Sequence, residues 1–117
     1  MQVDEFLKAL ARTSELEITV VGRRSGRRVT LPVWFVSEGR RIYLLPVMGS
    51  ETNWYKNVLS NPSMELSAGR HRVSVTAKPT SERESVERVI EMFKRKYGES
   101  SIKRYYSKLD ACVEVTL

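Results

Sequence analysis

The chain has 117 residues, enough for one modest core and too few for two, and 41% hydrophobic with 29% charged residues is the balance of an ordinary globular protein. One cysteine excludes an intrachain disulfide, and one cysteine with one histidine falls short of a zinc ligand set, so no metal site is expected. A net charge of +6 favours anionic partners, whether a phosphorylated cofactor, nucleic acid or an acidic surface, without choosing among them.

The longest apolar runs, Leu31 to Val36 and Tyr43 to Met48, are far shorter than the roughly 20 residues of a membrane span. The start, MQVDEFLKAL, lacks a basic segment followed by a long apolar block. We therefore expect no secretion signal and, by default, a cytoplasmic location.

Phe6, Leu7, Leu10 and Ala11 recur at helical spacing after an acidic start, which predicts a short helix over Asp4 to Ala11. Leu16, Ile18 and Val20 then alternate as one face of a strand. A bend at Ser25-Gly26 leads to a second strand, Val29 to Val36, apolar on both faces. Such a strand belongs in the middle of a sheet or carries a flat ligand on one face, whereas Pro32, which donates no ladder bond, calls for an edge or a bulge. Ser37 to Arg40 is a hairpin turn, and Arg41 to Val47 a third strand.

Thr52 or Asn53 caps a short helix, Trp54 to Leu59, that stops before Asn61-Pro62. Met64 and Leu66 begin a fourth strand, and Val73, Val75 and Ala77 form a fifth that Pro79 closes. Ser81 to Tyr97 is a helix with Ser81 and Glu84 as a capping box and a stripe of Val86, Val89, Ile90, Phe93 and Tyr97; Gly98 ends it. A polar helical segment with Tyr105 and Tyr106 follows, then a sixth strand from Cys112 to Leu117. The fold class is mainly β with helices (α+β), a single domain over 1–117 built as a small six-stranded antiparallel barrel.

Two constellations carry the chemistry. Arg23, Arg24, Ser25, Gly26, Arg27 and Arg28 pack four guanidinium groups around a bend where the backbone approaches an anion closely, which suits phosphate as well as it suits a solvated tip. The bend has the pattern of neither a P-loop nor a dinucleotide fingerprint. Trp34, Trp54, Tyr55, Tyr43 and Phe35 are core aromatics individually, while the Trp-Tyr pair after Met48-Gly49-Ser50 also suits the wall of a slot for a planar ring, with Asn57 facing the way Asn53 and Trp54 face. His71 follows a turn and is expected to be exposed and idle; Cys112 is expected to be a small buried hydrophobe. With no nucleophile, histidine and acid set to assemble, any chemistry belongs to a bound cofactor.

Gly22-Arg23-Arg24-Ser25-Gly26 six residues before Pro32, then Pro32-Val33-Trp34-Phe35, then Gly49-Ser50 leading to Trp54-Tyr55-Lys56-Asn57-Val58 and Asn61-Pro62, together resemble the deazaflavin-dependent nitroreductase family. That family lies within the flavin-binding split β-barrel superfamily, the pyridoxamine phosphate oxidase-like proteins. The resemblance covers Leu16 to Lys78 and implies a split barrel that binds a deazaflavin (coenzyme F-420) or FMN. The cofactor phosphate would lie at Arg24, Ser25 and Gly26, and the ring against Pro32 to Trp34 and Pro46, Val47, Met48, Gly49 and Ser50. Trp54 and Asn57 complete the slot, and Tyr105 and Tyr106 border the substrate pocket by analogy.

The implied activity is hydride transfer to a quinone, nitro compound or activated alkene, in a homodimer. Two positions depart from the family's habit: Val29 stands where an arginine often precedes the proline, and Lys56 where a histidine is common. A basic barrel stacking single-stranded nucleic acid is the alternative, against which the aromatics fall in alternating core positions rather than among surface arginines. A non-catalytic carrier of the same cofactor is the third reading.

Overall fold

The computed structural model describes residues 2–117. Two four-stranded antiparallel sheets form its centre. The first runs in the order β2 (Arg28–Trp34), β1 (Glu15–Val21), β5 (Ser63–Ala68), β6 (His71–Thr76); the second runs β3 (Val36–Glu38), β4 (Arg41–Leu44), β8 (Cys112–Thr116), β7 (Lys78–Thr80). Four helices accompany them: α1 (Gln2–Leu10), α2 (Asn53–Ser60), α3 (Arg83–Tyr97) and α4 (Glu99–Tyr105).

Eight strands stand where six were expected, because two of the expected strands bend and serve both sheets. The run from Val29 to Val36 breaks at Phe35, whose backbone N–H is held by the Tyr97 hydroxyl at 3.0 Å and whose carbonyl is held by Lys96 Nζ at 2.7 Å. Those two partners replace the ladder bonds that a continuous strand would have made. The run from Val73 breaks at Ala77, whose N–H donates to the Pro62 carbonyl at 2.8 Å, and Pro79 then pairs with Val113 inside β7 instead of ending the strand. The sheets are thus linked at both edges, through β2 into β3 and through β6 into β7.

β2 is an edge strand, as Pro32 required and contrary to its two apolar faces.

Alternation distributes the core. Ile42 and Leu44 of β4, with Val113 and Val115 of β8, join Leu16, Ile18, Val20, Met64 and Leu66 between the sheets, where Phe6 and Leu10 of α1 and Val58 of α2 also pack. Tyr43, Leu45 and Cys112 point to the opposite face and bury against Val86, Val89 and Phe93 of α3, Ile102 of α4 and Tyr106. β4 is therefore apolar on both faces because each face has its own cover. Cys112 is buried as expected, and burial pushes its thiol up to about 11.

The capping box expected at Ser81 and Glu84 does not form. Glu82 is the N-cap residue of α3, without a side-chain cap bond, and its carboxylate instead accepts from Ser85 Oγ at 3.1 Å. The basic last turn, Lys94 to Lys96, is present as the helix dipole prefers. His71 opens β6 opposite Ala68 and is half-buried rather than exposed. No helix among the described residues is long and apolar enough to cross a membrane.

Candidate functional site

A cleft of about 810 Å³ lies along β2, bounded by the loop after β4, the start of α2 and the end of α4. Its size falls in the range of small-molecule sites, roughly 300–1,000 Å³. Pro32, Val33 and Trp34 form one wall; Val47, Met48, Trp54 and Asn57 form the other; Tyr105 and Tyr106 close one end. The exposed apolar face of the edge strand is thus the floor of a slot.

Several rim side chains that would normally be covered are open: Val29 is 41% exposed, Val47 44%, Met48 53% and Tyr105 54%. Four large apolar groups around one cleft form a contiguous patch of the kind that binds ligands or partners.

Of the residues singled out in the sequence, those nine line the cleft directly. Pro46 and Gly49 are buried behind it, where they shape the loop. Arg24, Ser25, Gly26 and Arg27 form an exposed bend beside it, and Arg28 turns away to pair with Glu65 at 3.1 Å. Tyr55, Tyr43 and Phe35 are core residues, and Phe35 also makes the bend in the sheet.

Arg23 joins the bend to the slot. Its backbone N–H donates to Asn57 Oδ1 at 3.1 Å and its guanidinium donates to the same oxygen at 2.8 Å. Asn57 is buried, so this carboxamide oxygen has its desolvation offset by a charge-assisted bond.

The bend itself is largely self-satisfied: Gly26 N–H donates to the Gly22 carbonyl at 2.9 Å, and Arg27 N–H donates to Ser25 Oγ at 3.1 Å. Gly26 takes φ +71°, a conformation that favours glycine. Among the described residues, the Arg24 and Ser25 N–H groups are the ones in the bend left without an intramolecular acceptor. An anion would meet those two donors and the guanidinium groups of Arg24 and Arg27.

The opposite end is aromatic. Trp34 stacks on Tyr97 with ring centres 4.3 Å apart and planes 6° from parallel, and Tyr105 stands across it at 79° and 5.5 Å. Tyr97 is fixed through its hydroxyl, which accepts from Phe35 N–H and lies 2.6 Å from the Ser14 carbonyl. Burial pushes this phenol up to about 12, so its proton stays in place through the neutral range. The phenol of Tyr106 is likewise raised by burial.

Sequence reasoning missed the clasp that holds the Met48 loop. Asp110 accepts from Ser50 N–H at 2.8 Å and from Ser50 Oγ at 2.7 Å, and these bonds hold its carboxyl below the ordinary range. Gly49 lies inside the clasp at φ +54°, where an added Cβ would collide with Asp110 and meet the Lys108 carbonyl at 3.0 Å. Thr52 does not cap α2 through its side chain; its Oγ1 accepts from Met48 N–H at 2.8 Å, a further tie on the same loop. Only the Ser50-to-Asp110 separation hid this, since an aspartate sixty positions away carries no local signal.

The two departures are also placed. Val29 lines the cleft, and Lys56 pairs with Glu51 at 3.3 Å. A second depression, about 900 Å³, is edged by Thr19, Arg28, Glu65, Lys78 and Glu114 and offers no aromatic wall.

The fold has known counterparts. A putative pyridoxamine 5'-phosphate oxidase from Listeria innocua aligns with TM-score 0.72 at 14% identity, over 99% of this chain and 93% of that one. A structure described as a domain-swapped dimer aligns at 0.69 and 21%, over 87% and 79%. An F420-H2 dependent reductase aligns at 0.68 and 20%, over 87% and 93%. The resemblance to flavin-binding split-barrel proteins read from the sequence therefore holds at the level of fold. No curated protein matches the sequence. A family model, DUF2255, described as an uncharacterized protein conserved in bacteria, matches residues 6–115.

Proposed function

The chain belongs to that bacterial family, DUF2255, and we propose that it is a flavin-type oxidoreductase that holds a deazaflavin (coenzyme F-420) or FMN in the slot along β2 and reduces a small planar acceptor. The observation that carries the reading is the Arg23 to Asn57 connection, which sets a basic bend against one end of an apolar cleft. A phosphorylated cofactor with a flat ring has the same two parts in the same order.

The residues fit such a group. Pro32, Val33, Trp34, Met48 and Trp54 supply apolar walls, and the free N–H groups of Arg24 and Ser25 with the Arg24 and Arg27 side chains supply anion donors. When bound, the cofactor brings hydride chemistry that no side chain of this chain has. The chain's own part is orientation and exclusion of water: the walls hold a ring flat, Asn57 keeps Arg23 at the entrance, and Tyr106 retains its proton beside the acceptor end. A quinone, nitro compound or activated alkene would enter past Tyr105.

The exposed rim formed by Val29, Val47 and Met48 supports a homodimer in which a second copy or the ligand covers it. We further propose that the two sheets act as one six-segment split barrel forming a single domain, and that the protein works in the cytoplasm.

The test is the visible spectrum and mass of material released from the purified protein, followed by titration with coenzyme F-420 and with FMN. Saturable binding of either below micromolar concentrations supports the reading, and failure of both removes it. Binding without turnover of any quinone or nitro acceptor would reassign the protein as a carrier.

A further inference from the structure

The aromatic end of the slot carries a carboxylate that the cofactor does not account for, with the Arg104 guanidinium 5.6 Å from the Tyr105 ring centre and Lys96 Nζ 5.1 Å from that of Tyr97. Glu15 opens β1 and is the cross-strand partner of Trp34, so the two side chains stand on the same face of the sheet, and both line the cleft. Two carboxylates border the slot. Glu51 is paired with Lys56 at 3.3 Å, whereas among the described residues no lysine or arginine comes within 4.0 Å of Glu15.

Its backbone is also held. Thr13 Oγ1 bonds both the N–H and the carbonyl of Glu15, and the adjoining Ser14 carbonyl is held by the Tyr97 hydroxyl that carries the ring stacked on Trp34. The slot consequently has guanidinium groups at the Arg23 end and a carboxylate without an ion-pair partner beside Trp34.

We propose that Glu15 makes the Trp34 and Tyr105 corner select flat aromatic acceptors that are uncharged or cationic and reject those bearing a carboxylate or another anion. This rests on the reading of the slot as a cofactor and acceptor site, and it adds the charge class of the acceptor. An anion stacked on Trp34 would sit against Glu15, while a ring with an ammonium or amidinium substituent would find a partner there. The +6 net charge works the other way at long range, where a screening length of about 8 Å weakens it, and Arg104 over Tyr105 opposes at close range, so Glu15, the cross-strand neighbour of Trp34, is the charge the variants isolate.

The experiment compares two ligands with the same ring, 4-nitrobenzylammonium and 4-nitrobenzoate, titrated into the full chain carrying Trp54→Phe. The chain has two tryptophans, so Trp34 then reports alone through quenching. In 0.15 M salt the cation is expected to bind about tenfold more tightly than the anion, Glu15→Gln to narrow this to about threefold, and Glu15→Lys to invert it. Glu15 is exposed, so thermal melts of the variants should match the parent. A preference that is the same in all three proteins, or no saturable quenching by either ligand, overturns the inference. Coenzyme binding, measured in the chain that keeps both tryptophans, separates the two ideas: a charge preference set by Glu15 without coenzyme binding sinks the oxidoreductase, and the converse sinks only the selectivity.

Discussion

At the arginine end of the slot the side chains stand in solvent, with Arg23 anchored through Asn57 and Arg28 drawn away to Glu65; at the tyrosine end Trp34 is flanked by Tyr97 and Tyr105, and Tyr97 is hydrogen-bonded to the backbone at Ser14 and Phe35. One end can adjust to an anion of varied shape, since exposed arginines lose little by moving. The other holds a fixed plane against which a ring is aligned. The contrast teaches that affinity should depend mainly on the loose end and geometry on the rigid one, and each variant below separates the two.

The largest effect is expected at Tyr97. Tyr97→Ala removes the ring under Trp34 and the partner of Phe35 N–H, and should cost about 3–5 kcal/mol in denaturant unfolding. Tyr97→Phe keeps the stack and should cost about 1–3 kcal/mol; a loss near zero would show that the hydroxyl does not hold the bend.

Gly49→Ala comes next. It places a Cβ into Asp110 at a positive φ and should lose about 2 kcal/mol, together with coenzyme affinity as the Met48 loop shifts. Asn57→Ala should cost about 1.5–3 kcal/mol, because it removes the acceptor of a guanidinium and of a backbone N–H at once.

Arg24→Ala sharpens the comparison from the other side. Coenzyme binding should weaken about tenfold, or about 1.4 kcal/mol, while the melting temperature stays within error, since Arg24 is an exposed residue of the bend. An unchanged affinity would return the bend to the role of a solvated tip.

The smallest effect is in pH. Asp110 has its carboxyl lowered from 3.8 by Ser50, so its contribution is complete above that value and is lost as pH falls through the folded-state value. Melting temperatures between about pH 5 and about pH 3 should drop slightly more in the parent than in Ser50→Ala. Asp110 is half-exposed, so solvent screening keeps the difference small.

Much of this architecture was legible from local patterns. The periodic stripe of α3, the alternation in β1 and β8, and the order of turns are properties of neighbouring residues, and the elements follow them within a few positions. That Pro32 to Trp34 and Trp54 with Asn57 would line one cleft came from the family resemblance and from the Trp-Tyr pair on a short helix. One local reading lost to a competing local bond. Ser81 looked like a cap, but Thr80 Oγ1 accepts the Glu82 N–H and the helix starts one step later.

The chain by itself determined its strands and helices, its basic bend and its lack of an intrachain disulfide, because these depend on spacing and composition along a few residues. Only the tertiary structure decided that Phe35 ends a strand, that Asp110 clasps Ser50, and that Glu15 stands beside Trp34. In the first two cases a backbone or carboxylate group took its hydrogen-bond partner from about sixty positions away, where no local signal reaches, and in the third the register of two paired strands set the neighbours.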